Sequence, residues 1–266
     1  MLNKWMLIGL TVFALICIVF YARQRSLIYF PNRQMPSLEQ YHASDMQVVS
    51  IPTTDHLQLN GWYKPAKDGQ PTILYFHGNA GNIGGPMFLV RKFLQAGLGV
   101  LLVEYRGYGG NPGSPSEQGF YTDGRAGVRF LQEQGVNGKK LVLFGESLGA
   151  GVATEMATET PSCAVILQSP YTSMVDLASY HYPWIFMKPW DRFNSLQRIG
   201  NLNAPLLILH GKLDQVVPYA QGLKLYEQAK SPKELISFDH NDHHNLWSQA
   251  NYATNIISFI NKHCRI

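Results

Sequence analysis

The segment Gly145-Glu146-Ser147-Leu148-Gly149 constrains this chain more than any other. It follows directly on the apolar run 141–144 and directly precedes the small residues Ala150-Gly151-Val152-Ala153, so a predicted strand must turn into a predicted helix within it. On so sharp a turn the serine is held in a strained backbone conformation with its Oγ exposed, and a side chain at Gly145 or Gly149 would collide with neighbouring backbone. Ser147 also falls at the positive end of the following helix, where negative charge developing in acyl transfer is favoured. A bare Gly-x-Ser-x-Gly can be an ordinary glycine-rich turn; the strand before it and the helix after it favour a nucleophile.

The surrounding rhythm agrees with that turn. Short apolar runs at 72–76, 99–103, 140–144, 164–167 and 206–209 alternate with segments of helical period such as 120–134. Continuous apolar strands separated by helices predict an α/β fold, its mostly parallel sheet covered by helices on both faces. Ligands of such sheets sit at the carboxyl ends of the strands. With 45% hydrophobic and 15% charged residues the chain is composed like a packed enzyme, and its length suits one catalytic domain, read here as residues 46–266. Residues 46–51 and 57–63 alternate apolar and polar side chains, which predicts an antiparallel start.

Ahead of that domain, residues 5–22 carry no charge and are just long enough to cross a hydrocarbon core of about 30 Å. Residues 1–22 are therefore expected to be a membrane anchor. A cleaved signal peptide is the rival, but no pair of small residues marks a cleavage site. Lys4 precedes the span whereas Arg23, Arg25 and Arg33 follow it, so the positive-inside rule places the catalytic domain in the cytoplasm. Residues 23–45 read as a linker, with Leu27, Ile28, Tyr29 and Phe30 suited to lying on the membrane or on the domain. Cys17, Cys163 and Cys264 show neither an even count nor metal-ligand spacing, so neither a disulfide framework nor a zinc site is expected. The mild basic excess, 22 Lys+Arg against 18 Asp+Glu, lacks the basic stripe of a nucleic-acid binder, so no nucleic-acid partner is expected.

A serine hydroxyl needs a base, and the base needs a group to orient it. On a sheet with such an elbow the acid and the histidine follow the serine in that order. Asp214 lies on the loop after run 206–209 and is the expected acid, with Asp176 and Asp191 as weaker rivals. The histidine should fall in Asp239-His240-Asn241-Asp242-His243-His244-Asn245, where His240, His243 and His244 compete. His and Asp crowd there, but no further ligand is evident elsewhere, so no metal is expected. An oxyanion hole needs two backbone N–H groups; Leu148 and Asn79 are the expected donors, the second in His77-Gly78-Asn79-Ala80-Gly81-Asn82. The stretch 171–199, with Tyr180, Tyr182, Trp184 and Trp190, breaks the β/α rhythm and reads either as a small lid or as an aromatic layer completing the core.

The segments Gln24-Arg25-Ser26-Leu27-Ile28-Tyr29-Phe30-Pro31, the His77–Asn82 stretch, Tyr105-Arg106-Gly107-Tyr108-Gly109, Gly113-Ser114-Pro115-Ser116-Glu117, the Ser147 elbow and His181-Tyr182-Pro183-Trp184 together resemble the Bem46 group of α/β hydrolases. The resemblance runs from about Arg25 to the end of the chain. It implies the α/β-hydrolase fold, an N-terminal anchor, a small lid and a Ser, Asp, His triad hydrolysing an ester, thioester or amide without a cofactor. Related branches act on lipids or on palmitoylated proteins. It carries the acid to Asp214 and the base to His244 of the pair His244-Asn245, which Asn245 as a helix N-cap would also favour. The group often has an acidic residue after that Asn, where this chain has Leu246; His240-Asn241-Asp242 fits the tripeptide better but lies closer to the strand. The expected partners are a small-molecule or lipid acyl substrate and a membrane. An anchored binding protein that has lost catalysis is the alternative.

Overall fold

The computed structural model describes residues 3–184 and 187–264. An apolar helix α1 (Lys4–Ala22) passes through Arg23 into a short α2 (Gln24–Ile28) and the two-residue strand β1 (Phe30–Pro31). The domain then runs β2 (Gln47–Pro52), β3 (Gln58–Lys64), β4 (Thr72–Phe76), β5 (Ala80–Gly81), α3 (Met87–Gln95), β6 (Gly99–Val103), α4 (Glu117–Glu133) and β7 (Leu141–Glu146). It continues with α5 (Leu148–Glu159), β8 (Ala164–Gln168), α6 (Met174–His181), α7 (Ser195–Ile199), β9 (Leu206–Gly211), α8 (Tyr219–Gln228), β10 (Lys233–Phe238) and α9 (Tyr252–His263).

The main sheet has the order β10-β9-β8-β7-β4-β6-β3-β2. Strands β6 through β10 in that order are parallel, and β3 and β2 continue the sheet antiparallel, as the alternation at 46–63 predicts. The apolar runs are buried on both sides because successive side chains point to opposite faces. In β4, Leu74 and Phe76 join the core beneath α4, α5 and α8, whereas Ile73 and Tyr75 join the core beneath α3 and α9. β7 and β4 are adjacent, with Phe76 opposite Gly145, so the elbow and the loop after β4 emerge side by side at the carboxyl edge.

The linker 23–45 lies on the domain, one of its two expected placements: Gln24, Tyr29, Ala43 and Pro36 are buried, and β1 pairs in parallel with β5. Asn32 N–H adds a bond to the Gly81 carbonyl at 3.0 Å, and Gly109 N–H donates to the Asn32 carbonyl at 2.8 Å. Of the patch 27–30, Tyr29 turns inward while Leu27 and Phe30 stay exposed. The cysteine expectation is corrected: Cys163 and Cys264 form a disulfide with Cα atoms 5.1 Å apart. It joins the edge of β8 to the end of α9 across 101 positions, a proximity that only the packing of α9 on the sheet creates.

The stretch 171–199 is built partly into the core and partly onto the surface. Phe193 and Asp191 are buried, and Phe193 packs edge-on against Tyr121 and Tyr171. Tyr180, Tyr182, Trp184 and Trp190 remain on the surface. Residues 185 and 186 lie outside the described residues.

Candidate active site

Ser147 has φ 51° and ψ −113°, in the positive-φ region that a non-glycine residue enters only at a cost of about 1–3 kcal/mol. The neighbours make the turn possible. A Cβ on Gly149 would strike the Phe76 carbonyl, and one on Gly145 would strike the Gly149 carbonyl, so both elbow glycines answer to close backbone approach. Ser147 N–H donates to the Gln168 carbonyl at 2.9 Å, fixing the elbow to the end of β8. The seat of Ser147 at the N-terminus of α5 is thus as the sequence predicts.

Asp214 follows β9 and is buried. Its Oδ1 accepts the backbone N–H groups of Val216 at 2.9 Å and Val217 at 2.7 Å, a local turn that aims Oδ2 away from solvent. Oδ2 accepts Nδ1–H of His243 at 2.7 Å, and Nε2 of His243 faces Ser147 Oγ at 3.0 Å. These contacts form one unbroken chain from hydroxyl to imidazole to carboxylate. Burial by itself pushes the Asp214 carboxyl up, but hydrogen bonds from His210 and His243, with the charge of His243, outweigh it and hold the group well below the usual carboxylate range. Asp214 is therefore an anion in the folded protein.

The structure corrects the histidine: His243, not His244, meets Ser147, and His244 is exposed. The cause lies in how the loop closes. Asn245 does not cap a helix with its side chain; its Oδ1 accepts Asp242 N–H at 2.9 Å and Asn241 Nδ2–H at 3.0 Å. Asp242 Oδ1 accepts His244 N–H at 2.8 Å. This tight ring of side-chain to backbone bonds turns His243 inward and its neighbour outward, with the two rings edge to face. Only a 3₁₀ turn, Leu246–Ser248, follows, and α9 starts at Tyr252, later than the periodicity suggests. The Asn241/Asn245 spacing was the available signal. His240, Asp176 and Asp191 are not part of the chain to Ser147; Asp176 accepts from Thr172 Oγ at 2.7 Å, and Asp191 serves the region after α1.

His210 was not singled out by sequence. It is fully buried beneath Asp214, with Nε2 2.9 Å from the Val217 carbonyl and 3.3 Å from Asp214 Oδ2. Gly222 leaves room for its ring, since a Cβ there would collide with Nδ1.

The loop after β4 lies against the elbow: a Cβ on Gly78 would sit 3.7 Å from Ser147 Cβ. His77 is buried and holds that loop from below, Nε2 to Glu104 Oε1 at 3.0 Å, while Glu104 Oε2 accepts Ile83 N–H at 3.0 Å. Tyr108 donates its hydroxyl to the Asn79 carbonyl at 2.9 Å, with Asn79 Oδ1 3.1 Å away, and Asn79 Nδ2 donates to the Ile28 carbonyl at 2.5 Å. The Asn79 side chain is thus committed to structure. Leu148 opens α5, where a backbone N–H has no partner within the helix. Among the described residues, no group of His, Cys, Asp and Glu is arranged to hold a metal ion.

Residues 68–193 match the family model described as Serine aminopeptidase, S33. An uncharacterised protein of Mycobacterium tuberculosis is 39% identical over 84% of this chain and 82% of its own length. The Bem46 protein of Schizosaccharomyces pombe is 29% identical over 80% of this chain and 77% of its own. The chain belongs to the Bem46-like α/β hydrolases. Lysophosphatidylserine lipase ABHD12 of Danio rerio is 35% identical over 65% of this chain, which spans about half of that protein (51%). Among solved structures, the Pyrococcus furiosus esterase Pf2001 superposes with a TM-score of 0.73 over 88% of this chain and 99% of its own, at 21% identity, a likeness of fold. The family makes this Bem46-like protein a hydrolase, as its sequence implied.

Proposed function

We propose that this Bem46-like chain is a serine hydrolase that cleaves carboxylic esters of lipid-like molecules through an acyl-enzyme. The observation that carries the reading is the continuous chain Ser147 Oγ, His243, Asp214 at 3.0 and 2.7 Å. Nε2 of His243 takes the serine proton as Oγ attacks the ester carbonyl carbon, forming a tetrahedral oxyanion. The oxyanion is held by the backbone N–H groups of Leu148 and Asn79, whose loops flank the serine. His243, now protonated and stabilised by the Asp214 anion, returns the proton to the leaving alkoxide, and the acyl–oxygen bond breaks. Water then repeats the sequence on the acyl-serine and restores the free hydroxyl. The lysophosphatidylserine lipase, 35% identical over 65% of this chain, supports an ester over an amide. An inert binding protein is disfavoured because nothing in the hydroxyl, imidazole, carboxylate chain is missing.

The chain is anchored by α1, an apolar helix of 19 residues with none of its side chains buried. Retention of this helix, rather than its removal as a signal, is supported by the contacts its end makes: Tyr21 stacks edge-on against Trp190, and Gln24 Nε2 donates to the Tyr21 carbonyl at 3.0 Å. The Cys163–Cys264 pair favours a catalytic domain on the oxidising side of the membrane, since reducing compartments keep thiols reduced. The arginines after the span argue for the opposite side, but theirs is a statistical bias, whereas the disulfide has to persist chemically.

The deciding experiment is covalent labelling by a fluorophosphonate. Labelling of the full chain that disappears in Ser147→Ala is the expected result; equal labelling of both proteins would remove Ser147 from the mechanism.

A further inference from the structure

The segment that follows α1 is bonded directly to the loop beside the candidate nucleophile. Ile28 stands six positions beyond the end of α1 at Ala22, about 9 Å of helical rise, and its carbonyl already accepts Asn79 Nδ2–H. Asn79 adjoins Gly78, which lies against Ser147. The candidate nucleophile therefore sits within a few residue diameters of the point where the chain leaves α1.

A second connection runs to the exposed aromatic stretch. Asp191, buried, accepts Arg25 Nε–H and NH2–H at 2.9 and 3.0 Å and the Tyr29 hydroxyl at 2.9 Å. The Trp190 backbone N–H donates to Gln24 Oε1 at 2.7 Å, and the Trp190 ring meets both Tyr21 and the Arg25 guanidinium. Removing one partner from so closely bonded a buried carboxylate would leave its charge uncompensated, so α1, α2 and the Trp190 segment hold one mutual geometry. From the other side, His181 at the end of α6 bonds the Val216 carbonyl on the Asp214 loop at 2.8 Å.

We infer that Leu27, Phe30, Tyr182, Trp184 and Trp190 form a docking face that rests in the interface of the bilayer holding α1, and that the active site takes an amphiphilic acyl ester from that bilayer. Each of these side chains is exposed although large and apolar. The occupant follows from continuity: Trp190 touches Tyr21, a residue of the spanning helix itself, so the segment cannot leave the membrane surface without breaking the Asp191 lock. Tyr and Trp suit the zone between headgroups and acyl chains, having an apolar ring and a polar tip. The exposed cations Arg23, Arg33 and Lys188 on the same two segments would meet lipid phosphates. An ester in the interface presents its carbonyl at the depth of this face while its chain stays in the hydrocarbon. The substrate half of this inference rests on Ser147 as the nucleophile; the seating of the face does not.

The test uses the full chain in phosphatidylcholine vesicles. Trp184→Glu and Leu27→Glu are compared with the parent on a long-chain fluorogenic ester dissolved in the bilayer and on a water-soluble butyrate ester. The expected outcome is a fall of roughly tenfold or more on the bilayer ester with the soluble ester kept within about twofold, since interfacial seating depends on buried apolar area. No change on either ester, or an equal fall on both, overturns the docking face. Independently of turnover, lipids brominated near the carbonyl end of their chains should quench Trp184, so Trp184→Phe should remove a quenched component of the emission. Loss of an unquenched component would overturn the seating even in an active enzyme. A parent inactive on both esters but quenched at Trp184 would refute the hydrolase reading alone.

Discussion

His243 Nε2 lies 3.0 Å from Ser147 Oγ although the two residues are 96 positions apart, and the adjacent His244 is turned to solvent. His243→Ala should lower kcat on a soluble ester by at least about a thousandfold with little effect on KM, as loss of the base does in triads. His244→Ala should stay within about threefold of the parent, which surface substitutions away from a site usually do. Steady-state kinetics of the two variants decides between them, and an inactive His244→Ala beside an active His243→Ala would reverse the assignment.

Asp214→Asn should leave the fold intact while lowering kcat by about ten-thousandfold, because an amide no longer fixes the tautomer in which Nε2 of His243 accepts the serine proton. The same substitution has a pH signature. The Asp214 carboxyl is depressed in the folded protein, so its contribution to stability is present above the unfolded value of about 3.9 and disappears as pH falls through the lower folded value. Denaturant titrations below about pH 4 should therefore show the parent losing stability more steeply than Asp214→Asn.

Arg106 should be among the costliest residues to replace outside the site. Its Nε and NH2 donate to Asp123 Oδ1 at 2.9 and 2.7 Å, its backbone N–H donates to Asp123 Oδ2 at 2.9 Å, and its NH1 reaches Asp55 at 2.7 Å. Arg106→Met would leave the buried Asp123 carboxylate without its cation, a loss of about 3–5 kcal/mol. Replacing both groups, Arg106→Met with Asp123→Leu, should recover part of that loss. Equal stability of Arg106→Met and the parent in urea unfolding would contradict this account.

The disulfide gives both a stability and a location prediction. Closing a loop of 101 positions should stabilise the fold by about 2–5 kcal/mol, so Cys163→Ser with Cys264→Ser, or a reductant, should lower Tm. In sealed cells, protease added from outside should digest the catalytic domain. A protected domain whose Cys163 and Cys264 both react with maleimide after rapid lysis would place it on the reducing side.

What the sequence determined by itself was whatever depends on neighbouring residues or on period. The spacing Gly145-x-Ser147-x-Gly149 between an apolar run and small helical residues is a local steric requirement, and the apolar runs announce a buried parallel sheet because two covered faces leave no polar alternation. The place of Asp214 after β9 is likewise a matter of order along the chain. Tertiary structure decided whatever depends on direction and on distant partners. His243 and His244 differ by one position, and a loop ring of Asn241, Asp242 and Asn245, not any periodicity, chooses which of them turns inward. Cys163 and Cys264 meet only because α9 lies across the end of β8. The residues after α1, polar enough to read as a linker, become part of the folded domain because Asp191 and Asn79, from distant parts of the sequence, supply the partners for Arg25, Tyr29 and the Ile28 carbonyl.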